Sequence, residues 1–458
     1  MPTVNITREL ADSYLLYAYS VFNRALPDVR DGLRLASRRV IFGAHQLGLA
    51  SDKPYKKAAR LDGHVTGTLS PHGSVYGTIV NLSEPATSSA PLIDFQGNRG
   101  GYTNIECRQP DGRVLASYLS NDGAAASRYT EVRLTEFAQQ WMLTDVEYVD
   151  YQANYDSSLQ EPTVLPVGLP YLLLQDIVGI GVGYGANWVP FNITEVARAC
   201  VDFIKDKPHK LLFPDWPTGG NLSKSVTGVL EVGRGSITVT GTVSIERLPY
   251  RKSKRNCVVI TELPPGVSAE TLIENIAGTE LTNVVVDIAD LSNREGVRIV
   301  VVPKSTTGTE ALVKELFQKT KLKVRVNVNQ TALVMGKPTQ LTQIEVISHW
   351  YAFRLATVGR RIEADVTRLR NRVHVLEGIV EFLKVDSIRQ PLDRFTPEQQ
   401  RAIRQLTVGQ MEQAGKFASE LTQCERELKQ ALTLTPKEVI LKELKSVPTV
   451  GRRTLLSK

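Results

Sequence analysis

From residue 338 onward, apolar residues recur at helical spacing over a length that few folds can absorb. Ile344, Ile347, Tyr351, Leu355, Val358, Ile362, Leu369, Val373 and Leu376 are separated mostly by three or four positions. A second run, Ala414, Phe417, Leu421, Cys424, Leu428 and Ala431, keeps strict three-four spacing. A helical stripe of this kind must be buried against a surface of comparable length. Two such stripes joined by one compact segment, DSIRQPLDRFTPEQQRAIRQL, predict a long antiparallel coiled coil with that segment at its far tip. A plain helical-bundle core is the other arrangement the periodicity allows.

The rest of the chain divides by pattern. Residues 9–22, ELADSYLLYAYSVF, read as a helix that ends at ALPDVRDG. From Leu33 the apolar positions Leu33, Ala36, Val40, Ala44 and Leu47 are again helical, and Arg34 and Arg38, four apart, share a face. KKAARLDGHVTG, a turn at SPHG, and the short apolar pattern of SVYGTIVNLSEP follow. Short helices with tight turns and several arginines fit a helix-turn-helix module, although an ordinary basic helical pair fits them equally. Between 151 and 337 alternating stretches such as SITVTGTVSIERL, CVVITELP and GVRIVVVP read as strands, with AETLIENIAG and TEALVKELFQKT as helices between them. The expected fold class is therefore α+β and multidomain. Its expected parts are an arm at 1–30, a winged-helix (helix-turn-helix) domain at 31–150 and a mixed α/β domain at 151–337. The coiled coil with its helical tip takes 338–448, and a tail 449–458.

Composition narrows the function classes. The 458 residues carry a formal net charge of +7, a modest excess that points weakly to a polyanionic partner. Cys107, Cys200, Cys257 and Cys424 are far apart, with neither zinc-ligand spacing nor a disulfide framework. A reducing compartment is the plain reading. The N-terminus lacks a signal pattern and no apolar run reaches bilayer length, so a cytoplasmic protein without a membrane partner is expected. There is no GxxxxGK[ST] loop and no HExxH, and the histidines form no local metal cluster.

One stretch raises a chemical question. Residues 127–134 read SRYTEVRL and follow the small run NDGAAA. As a half-exposed strand, Tyr129, Glu131 and Arg133 would point one way and Arg128, Thr130, Val132 and Leu134 the other. A tyrosine hydroxyl with a pKa near 10 attacks poorly at neutral pH. Adjacent positive charge favours the phenolate and also binds a phosphate, so the same residues suit a nucleophile.

In order along the chain, RALPDVRDGLR, SRR, SPHG, DFQGNRG, SRYTEVRL, GIGVGYGANWVPFNITEV and the terminal helical pair resemble the breakage-reunion core of type IIA DNA topoisomerases, as in the gyrase A and topoisomerase IV A subunits. The resemblance covers nearly the whole chain. Its compact form, without the long C-terminal DNA-wrapping domain of gyrase A, is most similar to the medium subunit of tailed-bacteriophage topoisomerases, which would place it in a host cytoplasm.

The resemblance implies residue roles. Tyr129 matches the nucleophile that takes the 5′-phosphate, and Arg128 the arginine that holds the scissile phosphate. Arg30 and His72 match positions around that phosphate. Arg34, Arg38 and Arg39, with Gln96 and Asn98 of DFQGNRG, match DNA-contacting positions. Ile180 of GIGVG matches an isoleucine wedged between base pairs, in keeping with apolar wedges that kink a duplex. The glycines around it lack GxGxxG spacing and are expected to permit close backbone approach. The α/β domain corresponds to the family's tower, and the coiled-coil tip to its homodimer contact. Mg2+ and ATP are expected on a separate ATPase/TOPRIM partner subunit, with double-stranded DNA as substrate.

Each residue also has a structural reading of its own. Arg30 could pair with Asp28 or Asp31, His72 could bond the backbone of its turn, and Ile180 could be core. Two other classes fit less well: a non-catalytic DNA-binding protein on the same fold, and a tyrosine recombinase, whose tyrosine sits near the end of its catalytic domain.

The sequence departs from the cellular pattern in two places. Ser70-Pro71-His72-Gly73 stands where HPHG is usual, and the following helix is shortened, with Gly77 in place of an acidic residue. Since that region contacts quinolones in the cellular enzymes, an altered or weak quinolone response is expected. An insertion at about 102–119 reads as a hairpin around Pro110-Asp111-Gly112.

Overall fold

The computed structural model describes residues 6–85, 88, 90–99, 102–108, 114–121, 123–251, 253–293, 296–304, 308–384, 391–411 and 414–457. They form two compact units, one of residues 1–351 with 446–458 and one of residues 352–445.

The first unit opens with four helices: α1 (Ile6–Ala25), α2 (Leu35–Gln46), α3 (Ala58–Thr68) and α4 (Tyr76–Leu82). Helix α2 is buried without interruption from Arg38 to Ala44, more than the one-sided stripe its sequence advertises, because both α3 and α4 pack on it. Strand β1 (Lys56–Lys57) lies between α2 and α3, and β2 (Ile93–Gln96), β3 (Tyr102–Arg108), β4 (Val114–Asn121) and β5 (Glu131–Leu134) follow α4. β5 lies between β1 and β2 in an antiparallel sheet. Its Val132 and Leu134 are buried and Glu131 and Arg133 half-buried, the alternation a one-sided strand requires. Thr135 then caps α5 (Glu136–Met142) by accepting from the Ala138 N–H.

The middle of the unit is built on two larger sheets. Short strands β6 (Tyr151–Ala153) and β7 (Gln160–Pro162) pair with each other. β8 (Ile177–Ile180) and β9 (Gly185–Trp188) form a hairpin, after which Asn192 caps α6 (Ile193–Ile204). β10 (Asn221–Ser223), α7 (Thr227–Val232), β11 (Arg234–Thr240), β12 (Thr242–Tyr250) and β13 (Ser253–Glu262) come next. They lead to α8 (Ala269–Ala277), β14 (Val285–Asp290), β15 (Ile299–Pro303), α9 (Thr309–Lys319) and β16 (Lys323–Asn329), and then to the hairpin β17 (Thr331–Val334) and β18 (Lys337–Gln340). One six-stranded sheet has the order β12-β13-β15-β14-β4-β3. The unbroken apolar run in β13 reflects burial on both faces. Val258 and Ile260 join a core with Leu272 and Ile276 of α8 and Leu312 and Leu316 of α9, whereas Cys257 and Val259 join a second cluster with Leu248.

The other six-stranded sheet, β19-β10-β11-β16-β9-β8, contains the C-terminal strand β19 (Leu455–Ser457). The segment read as a tail is thus built in. β19 pairs in parallel with β10. The Asp215 carboxylate accepts from the backbone N–H groups of Arg453 and Thr454 at 2.9 and 2.8 Å.

Helix α10 (Gln343–Leu383) continues into the second unit, which also holds α11 (Pro397–Arg404), α12 (Val408–Met411), α13 (Ala414–Thr433) and α14 (Pro436–Lys445). Within it Arg372 of α10 pairs with Glu420 of α13, and Arg354 and Arg361 of α10 converge on Glu443 of α14. Ile379, Phe382, Phe395 and Ile403 form its apolar cluster. Among the described residues no helix is long and apolar enough to cross a membrane.

Candidate functional site around Tyr129

Tyr129 stands 66% exposed in the turn just before β5. The turn around it is tied down on several sides. The first N–H groups of α3 have no side-chain cap from Lys57; the Ala58 N–H donates to the Thr130 carbonyl at 2.9 Å and the Ala59 N–H to the Ser127 carbonyl at 3.1 Å. The Ala125 N–H donates to the Asn98 carbonyl at 3.0 Å and the Tyr129 N–H to the Ala126 carbonyl at 2.8 Å. From α4, the Tyr76 hydroxyl donates to the Ala125 carbonyl and lies 3.0 Å from Oγ1 of the fully buried Thr130. The backbone is held while the phenol is presented to solvent.

The two arginines flanking the tyrosine have different work. The Arg128 guanidinium lies 4.7 Å from the Tyr129 ring centroid, a cation–π placement that keeps positive charge beside the phenol. Arg133 belongs to another cluster: its Nε donates to Asp94 Oδ2 at 2.9 Å and its guanidinium covers the Tyr55 ring at 4.1 Å. The Tyr55 hydroxyl donates to the same carboxylate at 2.6 Å, a bond that raises its pKa.

Gln96 and Asn98 fall beside this turn, Gln96 paired with Glu131 across the β2–β5 ladder and Asn98 through its carbonyl. His72 is exposed in the loop before α4. That loop is pinned by Asp62, whose carboxylate accepts from the Ser74 hydroxyl at 2.8 Å and the Val75 N–H at 2.7 Å.

A second group gathers around β8. Ile180 is 81% exposed at the end of the strand. An Arg34 Nη2–H donates to the Val178 carbonyl, which brings Arg34 within two residues of Ile180. Gly179 meets the expectation of close approach: a Cβ there would lie 2.6 Å from the Ala25 carbonyl oxygen. Arg34 also lines a cavity of about 360 Å3 with Arg24, Ser37, Thr78, Asn81 and Asp176. Burial pushes the Asp176 carboxyl up to about 6, against a smaller opposing effect of the Trp216 indole; that indole N–H closes no hydrogen bond within normal distance.

Three arginines expected near the phosphate or the DNA pair with carboxylates of this chain, Arg30 half-buried and Arg38 and Arg39 buried. Arg30 donates Nε and Nη2 to Asp28, both at 2.9 Å, which settles the choice between its two acidic neighbours. That hydrogen bond raises its pKa. Arg38 is 8% exposed and clasps the fully buried Asp31, Nε at 2.6 Å and Nη2 at 3.0 Å. Arg39 is 9% exposed and clasps Glu161 at 2.8 and 2.7 Å. In the structure Arg38 and Arg39 are thus held by carboxylates of this chain, on a helix enclosed by α3 and α4. Gly32 is required beside them: its φ is +70°, and a Cβ would lie 2.3 Å from the Leu172 nitrogen.

Tyr76, Asp62 and Asp176 were not singled out in the sequence. Only Tyr76 carried a signal, its spacing of three from the buried Ile79. Among the described residues no three His, Cys, Asp or Glu side chains converge on a metal-sized site. Two carboxylates of the β1-β5-β2 sheet, Asp94 and Glu131, are paired with Arg133 and Lys57. Among the described residues, then, no donor set beside the turn fits a catalytic Mg2+.

Residues 24–445 match the family model of the DNA gyrase/topoisomerase IV A subunit. The DNA gyrase A subunit of Ureaplasma parvum serovar 3 is 36% identical over 392 residues, 82% of this chain and 44% of that protein. That of Staphylococcus epidermidis is 36% identical over 393 residues, 82% and 42%. The chloroplastic/mitochondrial gyrase A of Arabidopsis thaliana is 35% identical over 407 residues, 85% and 41%. The chain spans less than half the length of these relatives.

Proposed function

Since the chain belongs to the family of DNA gyrase/topoisomerase IV A subunits, we propose that it is the DNA-cleaving and religating subunit of an ATP-dependent type II DNA topoisomerase. The observation that carries this reading is the exposed Tyr129 on an immobilised turn with the Arg128 guanidinium over its ring. The Tyr129 oxygen attacks the DNA phosphorus, the P–O3′ bond breaks, and a 5′-phosphotyrosyl link forms. Attack by the freed 3′-oxygen reverses the exchange, and because one phosphodiester replaces another no energy source is consumed in religation. Arg128 stabilises charge on the transferring group, and His72 reaches the same phosphate from its loop. Gln96, Asn98 and Arg34 contact the DNA, and Ile180 wedges its bases apart. Mg2+ and ATP belong to an ATPase/TOPRIM partner subunit.

The domain reading follows. Helices α2–α4 with β1, β2 and β5 are a winged helix, residues 151–337 a tower, and α10 with α13 an antiparallel coiled coil whose tip, around α11, joins two copies. Two copies place one tyrosine on each strand, so a second duplex passes and linking number changes in steps of two. Helix α1 presents Leu10, Tyr14, Leu15, Leu16 and Tyr17 to solvent, an apolar surface suited to the partner subunit.

Covalent trapping tests the reading. The chain, its partner subunit, Mg2+ and internally labelled duplex are mixed, denatured with detergent and digested. Label on the Tyr129 peptide, absent in Tyr129→Phe and absent without partner, is the expected result. Tight DNA binding that never yields label would instead favour an architectural protein.

A further inference from the structure

The insertion at about 102–119 has no part in that chemistry, yet the backbone gives the hairpin that holds it a definite position. β3 and β4 pair antiparallel from Tyr102↔Asn121 to Arg108↔Val114; the turn expected around Pro110-Asp111-Gly112 lies outside the described residues. The hairpin also joins the far sheet: β4 pairs in parallel with β14, Ile288 opposite Ala116 and Ala289 opposite Ser117, and α8 packs over β4. β14 would otherwise be the sheet's edge, an open row of backbone donors and acceptors. At its other end β4 stops at Asn121, and residues 122–124 alone separate it from Ala125. Ala125 is the residue clipped by the Asn98 carbonyl and by the Tyr76 hydroxyl, and Tyr129 follows one turn later.

We infer that this hairpin is a positioning element that ties the Tyr129 turn to the six-stranded α/β sheet, so that the sheet holds the tyrosine in register with its phosphate. The inference rests on Tyr129 being the nucleophile. It follows from three juxtapositions: a root clipped beside the reactive turn, a strand pinned in a sheet some 170 residues away in sequence, and a link too short to take up slack.

Slack is the test. Four glycines are inserted between Asn121 and Asp122 in one variant and between Asp111 and Gly112, at the hairpin tip, in a control. Loop insertions of this size cost little stability, and hydrogen exchange at 285–290 reports whether β14 stays covered. The expected result is equal DNA affinity and equal protection at 285–290 in both variants. Covalent DNA complex in the presence of partner and Mg2+ falls at least about tenfold in the root variant alone, within the ~10²-fold that a 1 Å misplacement costs. Amide exchange across 125–130 rises in the same variant. Equal covalent yields in the two insertions, or loss of protection at 285–290 in the tip control, overturn the inference. The Tyr129→Phe protein separates the two levels, since covalent product that persists there removes the nucleophile assignment itself.

Discussion

The clasp between Arg38 and Asp31 can be tested by removing each partner and then both. The Asp31 carboxylate accepts four hydrogen bonds: two from Arg38, one from the Leu33 N–H and one from the Leu165 N–H, the backbone pair each at 3.0 Å. Arg38→Met strands a buried carboxylate without its clasping guanidinium and with half of its donors. Asp31→Asn strands a guanidinium inside the fold. Breaking a buried pair from one side costs about 3–5 kcal/mol, because the remaining charge stays desolvated, whereas removing both charges is often nearly neutral. Each single variant should therefore lose roughly 3–5 kcal/mol, and the double variant should lose far less than the roughly 6–10 kcal/mol sum of the two, a coupling of at least about 3 kcal/mol. Urea unfolding followed by tryptophan fluorescence is the assay, since Trp141, Trp188, Trp216 and Trp350 all lie in the first unit and report it without the second. DNA binding supplies the contrast. Arg34→Met should lower the slope of log K against log salt by about 0.9, the amount for one phosphate contact, and Arg38→Met measured under folding conditions should leave that slope unchanged. A coupling energy below about 0.5 kcal/mol, or a salt slope that falls with Arg38→Met, would show that Arg38 faces DNA after all.

Two further outcomes follow from the site. Asp176 holds its proton up to about 6, so the folded state binds more protons than the unfolded one between the usual carboxylate pKa and 6, and stability falls as pH rises through that window. Asp176→Asn should thus stabilise the protein by ~3 kcal/mol above pH 7, shrinking towards zero below pH 4, in melts at the two extremes. Tyr76→Phe leaves the Thr130 hydroxyl and the Ala125 carbonyl without the phenol; it should cost about 1–2 kcal/mol and reduce covalent complex several-fold at unchanged DNA affinity, and equal covalent yield would mean the turn is held without it.

How much of this could be read beforehand depended on the range of the interaction. Periodicity is local, so α1, α2, α10 and α13 were legible as helices and β13 and β15 as strands; that both are buried on both faces was not read. The 102–121 hairpin was equally local and is paired as its alternation predicted. Its union with β14 was not legible, since a parallel pairing across so long a loop leaves no mark in either strand's composition. The same limit explains the arginines. Spacing placed Arg34 and Arg38 on one helical face, but whether that face meets solvent or protein was decided by Glu161, 122 residues from Arg39, and by the backbone of Leu165 closing over Asp31. Charge in a sequence announces a need for a partner and is silent on whether that partner is a phosphate or a carboxylate of the same chain. Arg128 and Arg133, equally close to Tyr129 on paper, diverge for this reason: β5 turns Arg133 into reach of Asp94 on the neighbouring strand, whereas Arg128 sits in the turn, where no strand neighbour claims it, and its charge stays with the phenol.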